Sequence, residues 1–282
     1  MNVRSTIHLL VVAWLVPAAC AADANATAEQ VLSAANFQGG LIVHVGCGDG
    51  KLTAALRAGD RSLVHGLDVD AKNVEAARQR VQSLGLSGDV AVEPWDGQRL
   101  PYADNLVNLL VVGSPLSVDR TELLRVLCPG GVAVFLDPKS EIQNPKLVKP
   151  WPADMDQWTH FLHSAAGNAV AADRCVAPAR ALQWSAGPKY CRSHEIDSSF
   201  PAMVSANGRL FYILDEGPIG VTDPRFPARW VLIARDAFNG VLHWKRPLQP
   251  WGWQQWKPEI AEAGWRTLRG QRGRFPAEVP RR

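Results

Sequence analysis

The sequence predicts an α/β domain built on a parallel sheet, followed by an all-β region. Over residues 41–137, short apolar runs alternate with segments in which apolar side chains recur at helical spacing, and a glycine-rich turn follows the first run. Beyond residue 150, helical patterns give way to short apolar runs bounded by Gly, Pro, Asn and Asp. Nine of the eleven tryptophans also lie there, so the composition changes at the same point.

Residues 1–22 have the pattern of an export signal. Arg4 gives a positive start, residues 7–16 are apolar, and Ala19–Ala21 offers a cleavage site between small residues. The apolar run is short for a membrane span, although an uncleaved N-terminal anchor stays open as an alternative. We therefore expect an exported chain in the periplasm or cell envelope, which contacts a membrane only through this segment if it is uncleaved.

The glycine-rich turn follows the apolar strand at 41–43. In the run HVGCGDG, glycines alternate at Gly46, Gly48 and Gly50. Glycine at such positions lets the backbone approach a ligand closely and adopt positive φ. A dinucleotide fingerprint would need its last glycine one position later, so the spacing points to another nucleotide-binding turn.

Helices and strands continue to alternate after this turn. The predicted helices cover 51–56 and 71–84, and the predicted strands cover 62–67, 89–92, 109–112 and 132–136. Asp68 ends the second strand, and an acid at that point can accept hydrogen bonds from both hydroxyls of a ribose. A helix cap for the segment from Ala71 is the alternative role of Asp68.

These signals together resemble the class I S-adenosylmethionine-dependent methyltransferases. The resemblance covers residues 41–137 and implies a Rossmann-like α/β fold for a domain over residues 23–150. It implies that S-adenosylmethionine is the methyl donor and lies across the three glycines. It also implies that Asp68 holds the ribose and that Asp96 lies near the adenine amino group.

The sequence departs from this family at several points. His44 stands where the family usually has an acid that helps to hold the methionine portion, and Asn108 stands where it often has an aspartate. Residues 138–145 are expected to form a loop, and the two strands that end the family's sheet are not found between Asp137 and Pro150. No acceptor base can be named, so the methyl acceptor is unknown.

Residues 151–282 are expected to form β-structure. The predicted strands cover 210–214, 230–234 and 241–244, with a turn at 206–209. The segment 234–244, ARDAFNGVLHW, resembles the tryptophan-docking repeat A-x-D-x-x-x-G-x-x-x-W of quinoprotein-like (PQQ-like) β-propellers.

In that repeat we expect Asp236 to cap the turn, Gly240 to supply positive φ and Trp244 to pack against a neighbouring blade. A propeller needs about four to eight blades, so this region is expected to be an incomplete propeller of one to two blades. The arginine-rich end, 250–282, has no evident core pattern and is expected to be solvated.

Other polar groups have weaker patterns. His160 and His163 fit no strong metal-ligand spacing, so we expect a structural role and no metal. Cys175 and Cys191 allow a disulfide in an exported chain, without fixing one. The net charge of +3 gives no indication of nucleic-acid binding.

Three functions stay open from the sequence. The first is a methyltransferase with a small-molecule methyl donor. The second is a non-catalytic envelope protein whose propeller is a binding scaffold. The predicted export favours this second function, because the methyl donor is made in the cytoplasm. The third is a quinone-dependent dehydrogenase; PQQ is not expected as a cofactor, because the docking repeat builds a scaffold and not a cofactor pocket.

Overall fold

The computed structural model describes residues 19–113, 118–136, 146–174, 182–192, 199–221 and 228–248. The first unit consists of the following elements: α1 (Ala19–Ala34), β1 (Gly40–Val45), α2 (Lys51–Ala55), β2 (Ser62–Asp68), α3 (Ala71–Ser83), β3 (Val90–Pro94), β4 (Val107–Gly113), α4 (Arg120–Val126), β5 (Leu127–Leu136) and β6 (Lys146–Val148). Residues 1–18, most of the predicted export segment, lie outside the described residues. Within the described ranges, no helix is long and apolar enough to cross a membrane.

The six strands form one sheet in the order β3-β2-β1-β4-β5-β6. Strands β1 to β5 are parallel, and helices cover both faces of the sheet. The predicted Rossmann-like α/β fold is therefore confirmed for the N-terminal part. The strand order reverses between β1 and β4. In open sheets of this kind, ligands bind where the order reverses, outside the carboxyl ends of the strands.

Successive side chains along each strand point to opposite faces of the parallel sheet, so the sheet has one core on each face. Ile42 of β1 and Leu109 of β4 pack with residues of α1, α2 and α3 on one face. Val43 and Leu110, one position later in each strand, pack with Leu123 of α4 on the other face. Because both faces are buried, the strands appear in the sequence as continuous apolar runs.

Strand β6 corrects the expectation that no further strand lies between residues 137 and 150. It pairs antiparallel with β5, and Ala133 lies opposite Leu147. Lys149 extends the pairing through its backbone, which bonds Gly130 and Gly131 at 3.0 and 2.9 Å. Three residues are too few to show a strand pattern, so the pairing partner decides the structure here. The predicted loop at 138–145 lies outside the described residues.

The second unit is a four-stranded antiparallel sheet. Its strands are β7 (Ala202–Ala206), β8 (Arg209–Asp215), β9 (Trp230–Asp236) and β10 (Leu242–Pro247), in the order β10-β9-β8-β7. The β7–β8 turn has φ of 49° at Asn207 and 71° at Gly208, as a tight hairpin turn requires. The predicted strands and turn are confirmed, and the described residues contain one such sheet.

The β9–β10 turn forms as the sequence indicates. Asp236 Oδ1 accepts from the backbone N–H groups of Phe238 at 2.8 Å and Asn239 at 3.1 Å, and Gly240 has φ of 73°. Trp184 covers the turn: its Nε1 donates to the Ala237 carbonyl at 3.0 Å, and its ring occupies the space that a Cβ on Gly240 would need.

The packing of Trp244 against a neighbouring blade stays a prediction, and among the described residues Trp244 contacts its own sheet. The ring of Trp244 lies 6.1 Å from that of Phe211, centroid to centroid, and Arg246 lies over it at 5.0 Å. The described residues contain no second sheet of this type. A neighbouring aromatic ring and the guanidinium of Arg246 thus contact the indole.

The two units meet at the amino edge of the parallel sheet. Asn108, near the start of β4, accepts from the backbone N–H of Leu41 through Oδ1 at 2.8 Å. Its Nδ2 donates to Asp236 Oδ2 at 2.7 Å, and Asn239 Nδ2 donates to the Leu106 carbonyl at 2.9 Å. The C-terminal sheet therefore docks on the edge opposite the glycine-rich turn.

Candidate functional site

The glycine-rich turn connects β1 to α2 at the carboxyl edge of the parallel sheet. Gly46 anchors it, because its N–H donates to the Leu67 carbonyl of β2 at 2.8 Å. Gly48 has φ of 53°, and a Cβ built there would meet nothing within 4 Å. Gly50 has φ of 76°, and its Cβ would lie 2.8 Å from Ala77 of α3. The turn is therefore packed against the protein at Gly50 and open at Gly48.

Asp68 ends β2 beside this turn and is 5% exposed. Its Oδ2 accepts from the N–H of Gly48 at 2.8 Å, and its Oδ1 accepts from Asp70 N at 2.9 Å and Asn73 Nδ2 at 3.2 Å. The alternative role as helix cap belongs instead to Asp70, whose side chain accepts from Lys72 N at the start of α3.

This arrangement fits a ligand with hydroxyl groups. A carboxylate has about four lone-pair positions, and the contacts of Asp68 use three of them, so one is left for a hydroxyl donor. The open space lies at Gly48, the residue whose N–H donates to that carboxylate. A side chain at position 48 would fill the space, so the absence of a Cβ preserves room for a ligand.

Asp96 lies in the turn after β3. A hydrogen bond holds the start of this turn against the end of β2, because the N–H of Trp95 donates to the Asp68 carbonyl at 2.9 Å. Asp96 is exposed, and its Oδ1 accepts from the N–H of Gln98 at 2.9 Å. The structure thus brings Asp96 to the same sheet edge as Asp68. The adenine-binding role of Asp96 stays a prediction.

Val69 is a further candidate residue that sequence reasoning missed. It follows Asp68, is 52% exposed, and its Cγ1 lies 3.6 Å from the position of a Cβ built on Gly97. An exposed β-branched side chain next to an acidic residue and a glycine offers an apolar surface for a flat ring. An apolar residue between two aspartates, Asp68 and Asp70, was the signal available in the sequence.

His44 lies on β1 beneath the turn, where it is 3% exposed. Its Nδ1 lies 2.9 Å from the hydroxyl of Thr53 on α2. Burial lowers the pKa of His44 to about 4, although the nearby charge of Asp68 opposes the shift. The imidazole is therefore neutral at pH 7, and this position has no charge where the methyltransferase family usually has an acid.

Asn108 does not belong to this site. It lies near the start of β4, whereas the glycine-rich turn follows the end of β1. Because β1 and β4 are parallel, the two positions are at opposite edges of the sheet. The replacement of the family's aspartate by Asn108 therefore changes the contact with the C-terminal sheet and not the turn.

The thiols near these features are not poised as nucleophiles. Burial raises the pKa of Cys47 to about 12, and the charge of Asp68 adds to the effect. Burial and the charge of Asp236 likewise raise the pKa of Cys128 to about 12. A thiol with such a pKa is protonated at neutral pH, and the thiolate is the reactive form. Cys191 is exposed and free, and Cys175 lies outside the described residues.

The two histidines after the domain boundary take part in a local turn. His163 Nε2 lies 2.7 Å from Asp156 Oδ2, and His160 Nδ1 lies 2.9 Å from the Thr159 hydroxyl. In the portion of the chain that the structure covers, no group of three or more His, Cys, Asp or Glu residues is arranged to hold a metal.

Comparison with known proteins shows what the N-terminal part is similar to. The family model of a methyltransferase domain matches residues 42–131. Methyltransferase GfsG of Streptomyces halstedii is 36% identical over 102 residues, which are 34% of this chain and 37% of that protein. Demethylmenaquinone methyltransferase of Lactobacillus johnsonii is 28% identical over 123 residues, 41% of this chain and 50% of that protein. Residues 42–131 are thus similar to methyltransferase domains.

Each of these matches covers less than half of the chain. The chain spans no more than about half the length of the curated relatives it matches, 37% and 50%. Among solved structures, a SAM-dependent methyltransferase from Aquifex aeolicus has a TM-score of 0.36 and 25% identity, covering 42% of this chain and 68% of that one. Geranyl diphosphate C-methyltransferase from Streptomyces coelicolor has a TM-score of 0.36 and 24% identity, covering 39% and 44%.

Proposed function

We propose that the chain binds S-adenosylmethionine at the carboxyl edge of its parallel sheet and transfers the methyl group to an acceptor. The observation that carries the proposal is the hydrogen bond from Gly48 N to Asp68 Oδ2, which joins the turn after β1 to the end of β2, next to the reversal of strand order between β1 and β4. The match of residues 42–131 to the methyltransferase domain family supports the same reaction.

Each residue has a distinct part in this proposal. Asp68 accepts a hydrogen bond from a ribose hydroxyl through its remaining lone-pair position, and Asp96 accepts from the adenine amino group. The exposed side chain of Val69 packs against the adenine ring. When bound, the donor supplies a methyl group on a sulfonium, and the protein contributes mainly by positioning the two reactants.

His44 alters the charge of the site. Because its imidazole is buried and neutral, it does not provide the negative charge that would attract the ammonium of the donor. Asp68 and Asp96 are then the carboxylates that hold the donor at the adenosine end. Binding is therefore expected to depend strongly on Asp68.

Calorimetric titration of the full chain with S-adenosylmethionine tests the proposal. We expect saturable binding that weakens about 10- to 100-fold in Asp68→Asn, since the variant loses a hydrogen bond to a charged acceptor. The matched control is Asp70→Asn, two residues away, because asparagine caps a helix as well as aspartate does. Absence of binding, or equal affinity of both variants, would contradict the proposal.

We infer that the C-terminal sheet is one blade of a PQQ-like β-propeller. Support comes from the four-stranded antiparallel order and from the contact of Trp184 with the turn that ends in Gly240. A small-angle scattering curve of the full chain tests this: a blade whose faces are not buried by another sheet among the described residues predicts association of chains, while a strictly monomeric particle contradicts it. Export to the envelope stays a prediction.

A further inference from the structure

The loop that follows β3, residues 95–104, carries Asp96. Asp96 lies in an exposed stretch of this loop between two buried side chains, Trp95 and Leu100. Trp95 closes that stretch into a turn, because its Nε1 donates to the Arg99 carbonyl at 3.0 Å. The position of Asp96 therefore depends on the contacts that hold the two ends of the turn.

One ion pair on α4 bonds both backbone polar groups of Leu100. Glu122 Oε1 accepts from the Leu100 N–H at 2.7 Å, and Arg125 Nη2 donates to the Leu100 carbonyl at 3.0 Å. The pair itself has two bonds, from Arg125 Nε to Glu122 Oε2 at 2.8 Å and from Nη2 to Oε1 at 2.7 Å. Two parallel bonds of this kind fix the relative orientation of the two side chains.

Arg125 also holds a second point of the loop. Its Nη1 donates to the Tyr102 carbonyl at 2.7 Å and to Asp104 Oδ1 at 2.8 Å. Among the residues that the structure describes, Glu122 and Arg125 are the side chains from outside the loop that bond the backbone of 96–102. A guanidinium is planar and its donors have a fixed geometry, so it sets the distance between the carbonyls that it binds.

The ion pair is largely shielded from water, since the side chains of Glu122 and Arg125 are 16% and 17% exposed. Hydrogen bonds from Arg125 lower the pKa of Glu122, and hydrogen bonds from Glu122 raise the pKa of Arg125. Both groups are therefore charged at pH 7. Hydrogen bonds to charged groups are about twice as strong as those between neutral groups, so the pair is a firm anchor for the loop.

We propose that Arg125 and Glu122 are positioning residues that set the place of the Asp96 carboxylate for the adenine amino group of the methyl donor. The inference rests on the proposed function, in which Asp96 accepts a hydrogen bond from that amino group. The exposed turn that carries Asp96 ends at Leu100, where the ion pair binds the backbone. Because a hydrogen bond weakens with distance and misalignment, a displaced turn loses recognition of the amino group while the ribose contact of Asp68 is kept.

Calorimetric titration of the full chain with two ligands tests the proposal. One ligand is S-adenosylmethionine, and the other is its analogue whose purine ring carries hydrogen in place of the amino group. We expect the unsubstituted chain to prefer S-adenosylmethionine by about tenfold, since the analogue lacks a hydrogen bond to a charged acceptor. Asp96→Ala should abolish this preference. Arg125→Gln should decrease it by about threefold or more, because the displaced carboxylate loses part of that bond.

Arg57→Gln is the matched control. Arg57 likewise bonds two carboxylates, those of Asp60 and Asp89, and its side chain is 22% exposed, but its partner Asp89 lies just before β3, at the amino edge of the sheet. A loss of stability alone leaves the preference between the two ligands unchanged, as expected for Arg57→Gln. Glu122→Gln keeps the shape of the side chain and removes its charge, so it is the second variant if Arg125→Gln does not fold, and it should also lower the preference.

The outcomes separate this inference from the proposed function. If the unsubstituted chain binds neither ligand, the proposed function is overturned, and this inference with it. If the unsubstituted chain shows the preference and the folded Arg125→Gln and Glu122→Gln variants keep it in full, the inference alone is overturned. Equal affinity of the unsubstituted chain for the two ligands also overturns the inference, since Asp96 then makes no bond to the amino group.

Discussion

The side-chain amide of Asn108 donates a hydrogen bond to the carboxylate of Asp236 across 2.7 Å. The same amide accepts from Leu41 N and from Asn239 Nδ2 through its oxygen, at 2.8 and 2.6 Å. One asparagine thus connects two neighbouring strands of the parallel sheet to the turn of the C-terminal sheet. An aspartate here would place a second carboxylate against Asp236, so the docked sheet explains why this chain has an amide.

The first prediction concerns this contact. Asn108→Asp replaces the donor by an acceptor of the same shape, next to a carboxylate that is 4% exposed. Loss of a hydrogen bond to a charged group and the new repulsion are expected to lower the free energy of unfolding by about 1.5–3 kcal/mol. Urea denaturation at pH 7, followed by tryptophan fluorescence, measures the change.

A second substitution provides the control for that experiment. Asp236→Asn in the Asn108→Asp background restores one donor and one acceptor, so it should recover part of the lost stability. The double-mutant cycle then gives a coupling energy between the two positions. Purely additive losses would contradict direct pairing of the two side chains.

The sequence was sufficient for the elements whose signals are local. Residues 41–43 and 109–112 are continuous apolar runs, and the glycine spacing after the first run indicates a turn, so these strands and the turn follow from the sequence. The place of Asn108 could not be predicted, because its role depends on Asp236, which is 128 residues away. The short strand β6 likewise depends on its partner and not on its own pattern.

The second prediction separates the ligand role of Gly48 from its conformational role. Gly48→Ala and Gly85→Ala both place a Cβ at positive φ, 53° and 67°, with nothing within 4 Å of it. Each is expected to lower the free energy of unfolding by about 1–2 kcal/mol. Only Gly48→Ala should reduce the affinity for S-adenosylmethionine, by about tenfold or more in calorimetry. Similar affinities of the two variants would contradict a ligand at Gly48.

The third prediction concerns the turn that Trp184 covers. Gly240→Ala and Gly220→Ala change glycines with φ of 73° and 71°, but only the first Cβ would overlap the ring of Trp184. Backbone strain is expected to lower the free energy of unfolding of both variants by about 1–2 kcal/mol. Overpacking against the ring is expected to lower that of Gly240→Ala by about 1–3 kcal/mol more. Thermal or urea unfolding measures the difference.

The Trp184→Ala background tests the cause of that difference. Without the indole, the extra loss caused by Gly240→Ala should disappear, and the two glycine variants should become equally destabilising. Persistence of the difference would mean that another group near Gly240 is responsible. The role of Trp184 was not predictable from the docking repeat, because it lies outside that segment, 53 residues before the Ala237 carbonyl to which it donates.

The last prediction follows from the titration of His44. In the folded chain its pKa is about 4, whereas a solvated histidine has 6.5, so between these values the unfolded chain binds a proton that the folded chain does not. Stability therefore falls as the pH decreases from about 6.5 to 4, and His44 alone contributes a loss of about 3 kcal/mol over that range.

His44→Gln removes this titration and keeps a side chain that can hydrogen-bond Thr53. The variant should be less stable than the unsubstituted chain at pH 7, because an amide fits the site less well than the imidazole. The difference in free energy of unfolding between the two chains should narrow or reverse near pH 4, because only the unsubstituted chain loses stability through His44. The buried carboxylates and the other histidines titrate equally in both chains. Urea denaturation at pH 7, 5.5 and 4 measures this difference in stability. A difference that does not change with pH would show that His44 titrates alike in the folded and unfolded states.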